Sequence, residues 1–504
     1  MLTVKPREAV AQRLYSFNNT DIYYIQTSKF KTNTISFFFI DNLTKDTVSK
    51  NALTPAVLRR GCGSYPSMPS ISLQLEELYG SSFDCGVVKK GEYHIIYFHT
   101  EYIAERFVED IEEFFKKPLK LIVDIITDPV TENDLFKSGY VEQEKENLKS
   151  LIERRVNDKV QYAIDRCFEE MCKDEPFGIY DYGDIPGLAE VSENELYKHY
   201  KNVIAHYPLK VFITGDISIN NLEWISEELF KIISDHANHK NEHNINTNSN
   251  SNIRVDSNSN SRVDSNNRIN NNSGSKSNDN SNSRVNSKCI DNGKNKIEYE
   301  PKQNKGIFYS KNSKLSGVKQ VTESMEVNQA KLSMGFRTNT SPKEDDYYVL
   351  LVFNSILGEG VYSKLFQKVR EESGLAYYIF SQLEKFKGLS LITCGIEIDD
   401  RDKAIDIILK QIDNIKSGNV TKYEYESAVK SIATGIGFLK DNQLQITDYY
   451  FSQILAGTND CFETLLEKIK RISVEKVVNI TEKLKLDTIY FLTSKVQGQG
   501  QYKQ

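Results

Sequence analysis

Ile356-Leu-Gly-Glu-Gly-Val-Tyr-Ser-Lys-Leu-Phe-Gln-Lys-Val-Arg-Glu-Glu-Ser-Gly-Leu-Ala-Tyr-Tyr378 is the stretch from which the rest of the chain can be read. Gly358 and Gly360 bracket a turn, after which Val361, Tyr362, Leu365, Phe366 and Val369 recur at helical spacing and predict one apolar helix side. Arg370 falls at the edge of that side. Gly374 supplies a helix stop, since glycine enters the left-handed region at no steric cost. Leu375 to Phe380 then alternate as a strand, so the corner from helix to sheet holds Arg370 and Tyr377 close together.

Outward from this corner the chain reads as one design written twice. In the first half, Ile-Tyr-Tyr-Ile and Ile-Ser-Phe-Phe-Phe-Ile between Asp21 and Asn42 predict two strands. A hairpin turns at Lys90-Gly91, helices cover Phe107 to Ile126 and Glu132 to Met171 with a break near Asn157, and Leu209 to Thr214 is a strand. The second half repeats the order, with strands at Glu323 to Asn328 and Lys331 to Thr338, a helix at Asp345 to Leu357, and a last strand at Thr488 to Leu492. The expected fold is α+β: tandem duplicated domains, each a largely antiparallel sheet with helices packed on one face. The boundaries fall at 1–235 and 304–504. Between them, at 236–303, lies a segment expected to be disordered. Its centre, Asn241 to Ile290, holds 29 Asn plus Ser and no aromatic residue, and repeats Arg-Val-Asp-Ser-Asn at Arg254 and Arg262. Such a composition buries too little apolar surface to offset the entropy of ordering.

A chain of 504 residues is long enough for two or three domains. Its net charge of -6 is spread along the sequence and gives no reason to expect nucleic acid or an anionic membrane as a partner. No run reaches the ~20 apolar residues of a membrane helix, and the N-terminus lacks a signal-like apolar core, so a cytoplasmic protein is expected. The seven cysteines form no Cys-x-x-Cys pair and read as buried or incidental thiols.

The quoted stretch resembles the C-terminal half of the insulinase, pitrilysin and mitochondrial processing peptidase family, where a Gly-rich turn, a Ser-Arg-Leu-Phe-like helix and an Arg-(six residues)-Tyr pair recur; Lys364 stands here where Arg is usual. The resemblance covers nearly all of the chain except its centre. It implies that Arg370 and Tyr377 bind the backbone of an extended peptide substrate at a zinc site. The family carries its zinc ligands in the first domain, on a helix ahead of a basic-Gly turn, which corresponds to Ala52-Leu-Thr-Pro-Ala-Val-Leu-Arg-Arg-Gly61. Ala52, Pro55 and Ala56 stand where His, Glu and His would be, and the downstream acidic ligand would fall near Leu151. Alanine offers no ligand atom and proline no side-chain base, so no metal or other cofactor is expected for this chain. The literal His-x-x-Glu-His string at His239 to His243 lies in the Asn/Ser-rich segment without an apolar face to dock a helix, and reads as a chance match.

The resemblance therefore implies a non-catalytic subunit that lends Arg370 and Tyr377 to a zinc-bearing homologue in a heterodimer. The Leu53 to Gly61 and Leu75 to Phe83 runs are similar to a zinc-less bacterial subgroup associated with aminopentanol modification of elongation factor P. Two other readings stay open at this point: a self-sufficient zinc metallopeptidase using His239 and His243, and a peptide-binding protein without a peptidase role.

Overall fold

The computed structural model describes residues 9–17, 19–108, 114–230 and 317–494. The Asn/Ser-rich segment at 236–303, with His239 and His243, lies outside them. The first half contains β1 (Ala11–Phe17), β2 (Thr20–Gln26), β3 (Thr32–Asn42), β4 (Ser82–Lys90), β5 (Tyr93–Ile103), a short pair β6 (Thr131–Glu132) and β7 (Leu135–Phe136), and β8 (Leu209–Gly215). The second contains β9 (Lys319–Ser324), β10 (Ala330–Arg337), β11 (Ala376–Glu384), β12 (Leu389–Ile396) and β13 (Lys485–Thr493).

The sheet orders are β1-β2-β8-β3-β5-β4 and β11-β12-β10-β13-β9. Reversing the second gives the first without β1, which is the duplication seen in the sequence. In each sheet one pair is parallel, β2 with β8 and β9 with β13, and the other pairs are antiparallel. Strands β3 and β12 are buried along almost their whole length, so both faces of each sheet are covered. One face carries helices of its own half, such as Val48–Leu58 under the first sheet and Asp346–Gly358 under the second. The other face receives a helix from the opposite half: Lys159–Met171 lies on β10 and β13, and Gln443–Ala456 lies on β3 and β8. Helices of each half thus pack on one face as expected, and an exchanged helix completes the other.

The exchange accounts for a core that continues from one half into the other. Phe38 of β3 stacks on Phe451 at 4.0 Å, and Ile164 and Cys167 pack with Leu391, Tyr490 and Leu492. Charge follows the same line. Lys387, 3% exposed, places Nζ 2.5 Å from Glu92 and 2.7 Å from Glu175 of the first half, while Arg337 bonds Glu175 and Asp487, each at 2.8 Å. Removing one member of a buried ion pair leaves the other charge uncompensated. Lys387→Met is expected to destabilise the chain by about 3 kcal/mol; urea unfolding would check this, and an unchanged midpoint would mean that water reaches the pair.

Several boundaries differ from those read in the sequence. The helix expected from Phe107 is a 3-10 turn at Glu105–Phe107 followed by a helix at Lys116–Thr127. The strand expected at Glu323 to Asn328 is Lys319–Ser324, because parallel pairing with β13 sets its register. No helix among the described residues is long and apolar enough to cross a membrane.

Candidate functional site

The Val48–Leu58 helix is the place to ask about a metal. It is buried on nearly all sides, packed between β4, β5 and the Ser138–Arg154 helix. Pro55 sits inside it. The carbonyl of Pro55 accepts a hydrogen bond from Cys85 Sγ at 3.3 Å, and Ala52 is 6% exposed. None of Ala52, Pro55 and Ala56 brings a ligand atom. On the Ser138–Arg154 helix the buried residues are Val141, Glu144 and Leu148, whereas Leu151, the expected place of an acidic ligand, is 37% exposed. Glu144 is engaged by Arg60 in an ion pair with both side chains mostly buried. A cationic guanidinium thus occupies the one buried carboxylate of this helix. The residues present do not fit zinc, and among the described residues no cluster of three or more His, Cys, Asp or Glu is placed to hold a metal ion.

What the sequence reading missed is a buried polar network at the start of this helix. Asn51 Oδ1 lies 2.7 Å from His199 Nε2, and Asn51 Nδ2 lies 3.2 Å from His94 Nδ1 and 2.9 Å from Asp41 Oδ2. Tyr207 donates to the same carboxylate oxygen at 2.9 Å. His199 is a buried residue within the Glu193–His206 helix. Burial pushes both His94 and His199 down to about 4, so they are neutral and act as hydrogen-bonding struts. The signal was present in the sequence: an Asn in an apolar helix, and a strand Asp41 that pairs across with His94.

At the other candidate, the structure departs from a simple α-helix. Residues Phe366–Glu372 form a π-helix, a rare turn that recurs at functional sites. Leu365 and Val369 point into the core as expected, but Val361 is 66% exposed and lies in the preceding turn. Val361 leaves the apolar side because the helix begins only after it, at Lys364. Gly358 is required by proximity: a Cβ there would stand 2.6 Å from Ser381 Oγ and 2.7 Å from its backbone nitrogen. Gly374 adopts φ +61°, and the amides of Gly374 and Leu375 bond back to Arg370 and Val369. The predicted stop is thus formed. Lys364, where the family usually has Arg, is 8% exposed and grips both oxygens of Glu424 at 2.8 and 3.1 Å.

Tyr377 occupies a β-bulge. Ala376 pairs with Ile396 and Tyr378 with Gly395, leaving Tyr377 as the extra residue of the edge strand β11. Bulges re-aim a side chain out of the pleat, and Tyr377 is 57% exposed. Its hydroxyl donates to Glu397 Oε1 at 2.7 Å, and that bond holds its proton more tightly than usual. The Arg370 side chain is 44% exposed, with the guanidinium 4.8 Å from the Phe366 ring centroid and 3.6 Å from Glu371. Each engages its own neighbour instead of the other. Both face solvent at the junction of one helix and one strand, and Glu397 stands beside Tyr377.

A duplicated α+β fold, a helix without ligand atoms where the resemblance implies a metal, and an exposed Arg and Tyr at a bulged edge are what the resemblance implies for a zinc-less homologue. Comparison with known proteins agrees. Residues 279–432 match the family described as the peptidase M16 inactive domain. Over 470 residues, 93% of this chain and 95% of the relative, the chain is 29% identical to the probable inactive metalloprotease YmfF of Bacillus subtilis. Among solved structures, a conserved protein from Enterococcus faecalis superposes with a TM-score of 0.77 at 22% identity, covering 97% of this chain and all of that one. A peptidase M16 inactive domain from Pseudomonas fluorescens gives 0.66 at 13% identity, with 96% and 98% covered. The chain is thus similar to inactive-type M16 peptidase homologues, over residues 279–432 by the family model and over 470 residues by the YmfF relative.

Proposed function

We propose that this chain is the non-catalytic subunit of a heterodimeric M16-type peptidase, supplying Arg370 and Tyr377 to an extended peptide held at the zinc of an active homologue. The observation that supports this is a division of parts. The helix that would carry the metal presents Ala52 and Pro55, and Glu144 on the helix packed against it is already paired to Arg60, whereas the Arg and Tyr are exposed where a bulge turns the strand edge outward. A guanidinium and a phenol are donors that suit a peptide carbonyl. Residues 1–235 and 304–504 act in this reading as two domains joined by a tether at 236–303. The likeness to the zinc-less subgroup associated with elongation factor P modification suggests where a native partner is sought first.

Purification of the tagged chain from its native cell is the direct test. The expected result is co-purification of one zinc-bearing M16 homologue, with about one zinc per heterodimer. The chain alone is expected to carry far less than one zinc per molecule and to hydrolyse no peptide. One zinc per isolated chain, lost on changing His239 and His243 to Ala, would overturn the reading. Peptide capture by the lone chain, with no homologue recovered, would also argue against a shared site.

A further inference from the structure

A cavity of about 420 Å³ opens on the helical side of the second half, within the range of about 300 to 1,000 Å³ typical of small-ligand sites. Its walls come from the Asp346–Gly358, Lys422–Leu439 and Gln443–Ala456 helices and from the end of β11. Leu351, Ile432, Ile436 and Leu439 make an apolar wall. Two polar groups in it are incompletely used. Asn354 is 6% exposed; its Nδ2 donates to the Ser381 carbonyl at 3.4 Å, which sets the amide's orientation and leaves Oδ1 buried without a partner. Such an acceptor costs about 1 to 3 kcal/mol while it stays unsatisfied.

Lys385 is the second group. No carboxylate among the described residues forms an ion pair with it. Asp448 lies 2.7 Å from Lys90 instead, and Glu384 accepts from the Phe386 amide at 3.1 Å. Burial first, and then the nearby Lys90, push the Lys385 amine down to about 8, while the charges of Asp448 and Glu384 pull the other way. An ammonium in such a place gains from an anion that arrives with a ligand.

A buried acceptor, a cation with no ion pair among the described residues and an apolar wall share one cavity. We propose that this cavity binds an N-acylated apolar α-amino acid, its carboxylate on Lys385, its amide N–H on Asn354 Oδ1 and its side chain against Leu351 and Ile436. The same chemistry is offered by a free N-acylamino acid and by the C-terminal residue of a peptide. The site uses neither Arg370 nor Tyr377 and stands whether or not the chain works with a zinc-bearing partner.

Calorimetric titration of the full chain with N-acetyl-leucine, N-acetyl-leucinamide and the tripeptide Ala-Ala-Leu tests this. N-acetyl-leucine is expected to bind one per chain, and its carboxamide at least tenfold more weakly. Tighter binding of the tripeptide would assign the site to peptide ends, and weaker binding to free N-acylamino acids. Lys385→Gln should weaken N-acetyl-leucine at least tenfold with an unchanged melting curve, as should Asn354→Leu. If Asn354→Leu fails to fold, Lys385→Gln and the carboxamide still decide. No heat with either acid at millimolar concentration, or equal affinity for acid and carboxamide, would overturn the proposal.

Discussion

Lowering the pH from 7 to 5 is expected to strip this chain of much of its stability, because three histidines are locked in neutral form. Burial pushes His94, His99 and His199 each down to about 4. In the unfolded chain an imidazole titrates near 6.5, so between about 6.5 and 4 the unfolded state binds protons that the folded state excludes. The contribution is complete above the unfolded value and is lost as pH falls toward the folded one. At pH 5 the linkage relation gives about 2 kcal/mol for each, or roughly 5 to 6 kcal/mol for independent sites, comparable with the whole stability of many domains. His94 and His199 share Asn51 and so are not independent. His99 lies apart from them, packed beside Phe38 and Tyr97. Urea midpoints measured at both pH values would show the fall. A flat midpoint would mean that these imidazoles are reached by water in the native state.

The same residues show what the sequence could carry. Strand Phe37 to Ile40 and helix Asp346 to Gly358 were legible because apolar residues and turn signals set local structure, and the duplicated order followed from seeing that pattern twice. The stop at Gly374 was legible because a single backbone property decides it. The exchanged helices were not. Lys159–Met171 reads as an ordinary amphipathic helix, and no local signal says that its apolar side, with Ile164 and Cys167, belongs to the sheet of the other half. The π-helix was hidden for a related reason: Leu365 and Val369 fit either turn, and the spacing of apolar residues in Phe366 to Glu372 does not select the wider one. At the metal helix, side-chain chemistry alone was informative, since Ala52, Pro55 and Ala56 lack ligand atoms in any geometry. The Arg60 pairing of Glu144 and the open amide of Asn354 depend on contacts between distant segments, which spacing along the chain does not encode.

Arg370→Ala and Tyr377→Phe are expected to leave folding and assembly with a zinc-bearing partner nearly intact and to slow cleavage by the complex severely. The structural half of this expectation follows from exposure. Both side chains face solvent, their bonds to Glu371 and Glu397 are at the surface, and surface changes of this kind usually stay within about 0.5 kcal/mol. The functional half rests on the shared-site reading. A substrate carbonyl arriving at Tyr377 has to displace its bond to Glu397, a charge-assisted bond that strengthens as water is excluded. As that carbonyl gains negative charge, the phenol and the guanidinium stabilise it more than they stabilise the ground state, and losing one such donor costs about 2.7 to 4 kcal/mol, or 10² to 10³ in kcat. Glu397→Gln is a useful companion, since it weakens the bond that occupies the hydroxyl and should not lower kcat as Tyr377→Phe does. Reconstituted complexes that assemble, keep their zinc and cleave at the wild-type rate with both Arg370→Ala and Tyr377→Phe would remove these residues from the chemistry. Failure to assemble would instead place them in the interface with the partner.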